Sequence, residues 1–199
     1  MSESLPDVYL ARHGETAWTI NRRHTGLTDL PLTERGVRNA RSLGERLEGA
    51  TFSHVFTSPL QRAHYTCELA GFGKVAVVDP DLVEWDYGDY EGLTTAEIVQ
   101  KRPGWHIFRD GCPGGESIAE VSARADRVVR KLRALDGDDV LLFSSSHILR
   151  VLTARWLGLE TIAGRYFYLG TATLSALGYD HTKEEPVIRL WNDARHVGP

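Results

Sequence analysis

Val8-Tyr9-Leu10-Ala11-Arg12-His13-Gly14 reads as a short buried strand that ends in two reactive side chains. The apolar run suits a strand, and Gly14 lets the chain turn sharply as the strand ends. The turn leaves a guanidinium and an imidazole together at a strand's carboxyl end, where open α/β sheets bind ligands. Arg12 offers a planar fork of donors that matches phosphate oxygens, and His13 a ring nitrogen that can attack phosphorus. Taken alone, the tripeptide is read more simply as a surface His beside a salt-bridged Arg. The rest of the chain argues against that.

Outward from this strand, apolar runs alternate with amphipathic segments. Strands are expected at Val8 to Arg12, His54 to Thr57, Val75 to Val78, Val140 to Phe143, Ala172 to Leu177 and Val187 to Leu190. A Gly-, Thr- and Asp-rich loop spans Asn21 to Pro31. Thr33 caps a helix that runs to about Leu47, with Val37, Ala40, Leu43 and Leu47 on one face. Ser58, followed by Pro59, is a good helix start, and that helix carries Arg62 and ends near Gly71. A short helix covers Thr94 to Gln100, a long one capped by Ser117 reaches Leu135, and another spans Ile148 to Leu157. Leu82 to Gly92 is irregular, aromatic and acidic. This order predicts an α/β fold in one domain, residues 1–199, with three layers: a mostly parallel central sheet and helices on both faces.

Composition narrows the function. A chain of 199 residues with net charge −4 argues against general nucleic-acid binding and against a basic membrane-binding face. Met1-Ser2-Glu3-Ser4 carries no basic stretch leading into an apolar one, and two cysteines make no disulfide framework, so a cytoplasmic setting is expected. Neither Cys67 nor Cys112 has an Arg six residues on, which removes the usual cysteine-phosphatase loop. Asp79 and Asp81 lack the following Thr of an aspartyl-phosphate motif, and Gly73-Lys74 lacks the rest of a Walker loop. No cluster has metal-ligand spacing, so neither a metal nor a cofactor is expected. Oligomeric state is left open, with a homodimer among the options.

Three strand ends each deliver polar residues before a helix or a loop. The first gives Arg12 and His13, the second Thr57 to Arg62, the fourth Ser144-Ser145-Ser146-His147. Helix N-termini attract anions, so neighbouring strands would build a phosphate pocket. Singly, Arg62 is a surface ion-pair former and the Ser run a capping turn; their joint placement argues for a site. A His nucleophile also needs a proton donor for the leaving oxygen. Glu84 is a candidate, because Trp85, Tyr87 and Tyr90 would shield a carboxyl from water and so favour its neutral form. Asp86, Asp89 and Glu91 compete with it, and chemistry alone does not choose.

These segments together resemble the histidine phosphatase superfamily, whose fold is phosphoglycerate mutase-like. Leu10 to Thr16 is similar to its signature, Thr25-Gly26 through Thr33 and Gly36 to a second motif, and Thr57 to Ala63 to a third. Glu84 to Gly92, with Arg109 to Ser117, resembles a branch that includes fungal sedoheptulose 1,7-bisphosphatase and bacterial acid phosphatases. The resemblance implies His13 as nucleophile, Arg12 and Arg62 as phosphate ligands, and Glu84 as general acid. It also implies phosphate or substrate contacts from Thr19, Thr25 and Gly26.

The chain departs from the family at its second catalytic His, normally followed by Gly and, five residues after the His, by Arg. Counting back from Arg150, those positions hold Ser145 and Ser146, and His147 falls two places later. Either His147 swings in as a catalytic residue, or Ser145, Ser146 and the helix N-terminus bind phosphate without an imidazole. The second arrangement is the one expected here. The implied activity is metal-independent hydrolysis of small phosphorylated metabolites, sugar phosphates or bisphosphates, through a phosphohistidine. A phosphoglycerate mutase, or a binding protein with weakened catalysis, are the competing readings. Selectivity is expected to lie in Gly92 to Ser117 and in Arg22-Arg23-His24; within these, Arg23, His24, Arg102 and Arg109 are either contacts for a second phosphate or solvated surface charges.

Overall fold

Apolar residues at four successive positions, Val140-Leu141-Leu142-Phe143, call for cover on both faces of a strand. The computed structural model, which describes residues 5–135 and 137–198, supplies that cover. Strands β1 (Val8–Arg12), β2 (His54–Thr57), β3 (Val77–Val78), β4 (Val140–Ser144), β5 (Leu174–Tyr179) and β6 (Pro186–Asp193) form one sheet in the order β3-β2-β4-β1-β5-β6. β1, β2, β3 and β4 pair in parallel, and β5 pairs antiparallel with both β1 and β6. The Met1-to-Ser4 reading lies outside the described residues.

Helices α1 (Ala17–Ile20), α2 (Glu34–Arg46), α3 (Gln61–Leu69), α4 (Thr95–Lys101), α5 (Ile107–Asp110), α6 (Ile118–Arg133) and α7 (Ser146–Trp156) connect the strands. On one face, Val128 and Leu132 of α6 and Leu149, Leu152 and Trp156 of α7 pack on Leu10, Val140 and Leu142. On the other, Leu43 of α2 and Cys67 of α3 pack on Ala11, Leu141 and Phe143. Alternate residues of β4 thus enter opposite cores, as the period-2 pleat requires. Trp85, Ile98, Trp105, Phe108 and Cys112 form a third core against Val121 and Ala125 of α6 and Ile148 and Val151 of α7. Among the described residues no helix is long and apolar enough to cross a membrane.

Helices with local caps begin where the sequence places them. Thr33, Thr94 and Ser117 each accept a backbone N–H from the first turn. α3 differs: it starts at Gln61 rather than at Ser58-Pro59, because its cap comes from another loop. Asp29 accepts the Gln61 N–H at 2.8 Å, and the Gln61 side chain returns a bond to the Asp29 carbonyl. Helix α1 has no place in the sequence reading; its capping box closes with Thr19 rather than the usual Glu or Gln. α5 and a 3-10 turn at Thr161–Tyr166 are likewise additions. β3 is trimmed to Val77–Val78, β5 is shifted two residues to Leu174–Tyr179, and β6 extends to Pro186–Asp193.

Gly14 is required for a different reason from the one its place in the sequence suggests. It has no left-handed backbone; a Cβ there would stand 2.6 Å from the Gly36 carbonyl oxygen. The turn after β1 and the start of α2 lie too close for any side chain.

Candidate active site

Parallel pairing sets the ends of β1, β2 and β4 side by side. Arg12 is in register with Ser144, and Thr57 with Phe143, so Arg12-His13, Ser58 to Arg62 and Ser144 to His147 leave the sheet at one edge. A cavity of about 570 Å³ opens there, lined in part by Arg12, His13, Thr19, Thr25, Glu84, Ser146 and His147.

His13 is 3% exposed. Its Nδ1 lies 2.7 Å from the Gly14 carbonyl oxygen. A carbonyl only accepts, so Nδ1 carries the proton and Nε2 keeps its lone pair. Burial, then the guanidinium charges of Arg62 and Arg12, hold the imidazole pKa well below its usual value. A neutral ring with a free Nε2 is the nucleophilic form.

The guanidinium groups are fixed from behind. Arg62 donates to the carbonyls of Thr28 at 2.9 Å, Thr25 at 3.0 Å and Gly26 at 2.7 Å. Arg12 donates to the Leu169 carbonyl at 2.6 Å. Burial lowers the pKa of both below the ordinary arginine value. Nε of Arg12, Nε of Arg62 and Oγ of Ser145 are buried without a partner. Of the three residues, Arg12 is on the cavity wall, whereas Arg62 and Ser145 are fully buried and do not line it.

Glu84 reverses one expectation. Its Oε1 accepts the Trp85 and Ile148 N–H groups at 2.9 and 2.8 Å, and Oε2 accepts that of His147 at 3.0 Å. The α7 amides expected to bind phosphate therefore hold the protein's own carboxylate, which the helix dipole favours equally. Ser146 remains on the cavity wall, while Ser145 lies at the end of β4 beside His13, its hydroxyl buried.

His147 faces the cavity, contrary to the arrangement expected from its shifted position. Its Nδ1 hydrogen bonds to the Tyr87 hydroxyl, and its ring packs on Phe108 at 5.3 Å. Burial holds the Tyr87 pKa well above its usual value, so Tyr87 keeps its proton; its hydroxyl donates to Nδ1 or accepts from it according to the imidazole tautomer. His147 is neutral, its pKa held well below the usual value by burial and by Arg150. In the tautomer that accepts at Nδ1, Nε2 carries the ring proton and is a donor.

Other predicted contacts divide. Thr19 and Thr25 reach the wall, though each hydroxyl already donates to a backbone carbonyl, of Thr16 and Arg23 respectively. Gly26 sits behind it: its N–H is taken by Glu91 and its carbonyl by Arg62. Arg23 and His24 line the cavity, whereas Arg102 and Arg109 pair with Asp110 away from it. Arg22, placed with Arg23 and His24 in a selectivity segment from the sequence, is on the wall; sequence reasoning missed Tyr168, also there, and treated Tyr87 only as a shield. An aromatic amid the acids of Glu84 to Gly92 was the available signal for Tyr87; Tyr168 carried none. Among the described residues no group of three or more His, Cys, Asp or Glu is placed to hold a metal ion.

These buried neutral imidazoles predict a pH effect on stability. Burial brings His24 down to about 4, and His13 and His147 also stand below the usual value. The unfolded chain takes up protons first as pH falls below about 6.5. Stability from these groups is therefore complete above that pH and is lost as pH falls toward 4. Thermal unfolding at pH 7.5 and pH 5 is expected to show a lower Tm at pH 5, and a smaller drop in His24→Gln. Equal Tm values at the two pH values would contradict the burial described.

Comparison with known proteins identifies the family. The family model described as "Histidine phosphatase superfamily (branch 1)" matches residues 8–194. An acid phosphatase of Mycobacterium tuberculosis is 41% identical over 175 residues, covering 86% of each chain. Sedoheptulose 1,7-bisphosphatase of Saccharomyces cerevisiae is 35% identical over 190 residues, covering 80% of this chain and 70% of that protein. The solved structure of a Mycobacterium tuberculosis open reading frame product superposes with a TM-score of 0.89 at 37% identity, covering 94% of this chain and 97% of that one. With the matching model spanning β1 through β6, the chain belongs to the histidine phosphatase superfamily and is a phosphoric monoester hydrolase.

Proposed function

We propose that this chain hydrolyses small phosphorylated metabolites, sugar phosphates among them, through a phosphohistidine on His13 and without a metal. The observation that carries this reading is the neutral His13, with Nδ1 tied to Gly14 and the guanidinium charges of Arg62 and Arg12 close enough to lower its pKa. The substrate phosphate docks against these donors. Nε2 of His13 attacks phosphorus as the ester P–O bond breaks, and the guanidinium groups hold charge on the equatorial oxygens. Glu84 gives its proton to the leaving alkoxide. Oε2 has one backbone donor against two on Oε1 and is the less engaged oxygen. The carboxylate then takes a proton from water, the oxygen attacks phosphorus, and the P–N bond breaks to release phosphate and free His13.

The cavity has the size of small-molecule sites. The acid phosphatase and bisphosphatase names of the relatives point the same way. A screen of phosphorylated metabolites for phosphate release, with alkaline quenching to preserve labelled phosphohistidine, tests the reading. Turnover without any labelled enzyme would overturn the mechanism.

His147 supports the substrate through Nε2–H. His147→Ala is expected to lower kcat/KM about tenfold, the size of one lost hydrogen bond. Unchanged kinetics would return that contact to Ser145 and Ser146.

A further inference from the structure

Arg22 is left over when every other cation on the cavity wall has been given a task. Arginine charge on that wall comes from Arg12, Arg22 and Arg23. Arg12 serves the phosphoryl seat beside His13. Arg23 is engaged: it donates to the Gly92 carbonyl at 2.6 Å and pairs with Glu97 at 3.3 Å. His24 is neutral at pH 7, since burial brings it to about 4. The Arg22 guanidinium has no hydrogen-bond or carboxylate partner among the described residues.

Its backbone adds a second, independent observation. Arg22 follows Asn21, the C-cap of α1, and has φ +55°. Glycine or asparagine is the ordinary occupant of that left-handed position, because a Cβ is strained there. A long cationic side chain in a conformation that costs stability, projected onto a ligand cavity, is strain of the kind held at functional sites.

We propose that Arg22 is a specificity-determining residue that binds a second anionic group, phosphate or carboxylate, on the substrate. This rests on the phosphatase reading above and narrows it to phosphoesters that carry two anionic groups. One phosphate sits at His13, and the other anion meets the free planar fork of Arg22 across the cavity.

The test measures phosphate release from two matched pairs of substrates. Fructose 6-phosphate and fructose 1,6-bisphosphate differ by a phosphate; glycerol 3-phosphate and 3-phosphoglycerate differ by a carboxylate in place of an alcohol. The wild-type protein is expected to favour the doubly anionic member of at least one pair by about tenfold in kcat/KM, mainly through KM. The pair that responds identifies the anion. Arg22→Ala should bring that ratio close to one, and Arg22→Lys should keep part of it. Arg22→Gly should raise Tm by relieving the backbone and still lose the ratio. A wild-type ratio near one in both pairs, or a parallel loss on both members in Arg22→Ala, overturns the assignment and leaves the phosphatase reading standing. No phosphate release from any of these compounds or from p-nitrophenyl phosphate overturns the phosphatase reading, and this assignment with it.

Discussion

His13→Ala is expected to abolish phosphate release, by roughly 10⁴-fold or more, and to yield no labelled phosphoenzyme. The fold should survive. The His13 N–H donates to the Ser144 carbonyl at 2.9 Å, and its carbonyl accepts from Ala172 at 3.0 Å. Both bonds are backbone bonds and remain in the variant. What disappears is Nε2, the atom that the Gly14 bond leaves unprotonated. Binding should persist, because Arg12 and Arg62 are held by carbonyls elsewhere. Circular dichroism and Tm separate loss of chemistry from loss of fold. Turnover within tenfold of wild type in a folded variant would sink the nucleophile assignment.

Glu84→Gln should act according to the leaving group. In the first step an alkyl oxygen needs the proton, while an aryl oxygen departs with little protonation. Pre-steady-state phosphoryl transfer from an alkyl phosphate should fall about 10²–10⁴-fold, the range for general acid catalysis. Transfer from p-nitrophenyl phosphate should fall far less. The second step is common to both substrates and uses the carboxylate as base. The variant should therefore release a burst of p-nitrophenol close to one equivalent and then stall as phosphoenzyme. An equal loss on both substrates in the first step would make Glu84 a positioning residue for the start of α7. That alternative has a structural motive, because the carboxylate accepts the His147 and Ile148 N–H groups there.

Features that depend on a few neighbouring residues were legible in the sequence. The four-residue apolar run of β4 is buried throughout, as is Ser144 after it. Caps at Thr33, Thr94 and Ser117 lie within a turn of the groups they satisfy. Strand ends carrying Arg12-His13, Ser58 to Arg62 and Ser144 to His147 followed from the same local patterns. Their meeting at one sheet edge was conditional on the strands being neighbours, and the order β2-β4-β1 in the folded sheet supplies that. The choice of Glu84 over Asp86, Asp89 and Glu91 was not local; it came from resemblance alone, and the backbone bonds to α7 now give it a physical basis.

By itself, the sequence determined the layered α/β fold, its main strands and the residues that reach the catalytic edge, because period, burial and capping act over a few residues. Only the tertiary structure decided which anion occupies the start of α7, where His147 points, what caps α3 and which arginine is left free. Helix amides accept any nearby anion, and an imidazole turns toward whichever partner is within reach. Glu84 and Tyr87 reach α7 from more than fifty residues away, and Asp29 reaches α3 from thirty-two. A sequence lists such partners, but only the folded chain brings one of them within three ångströms.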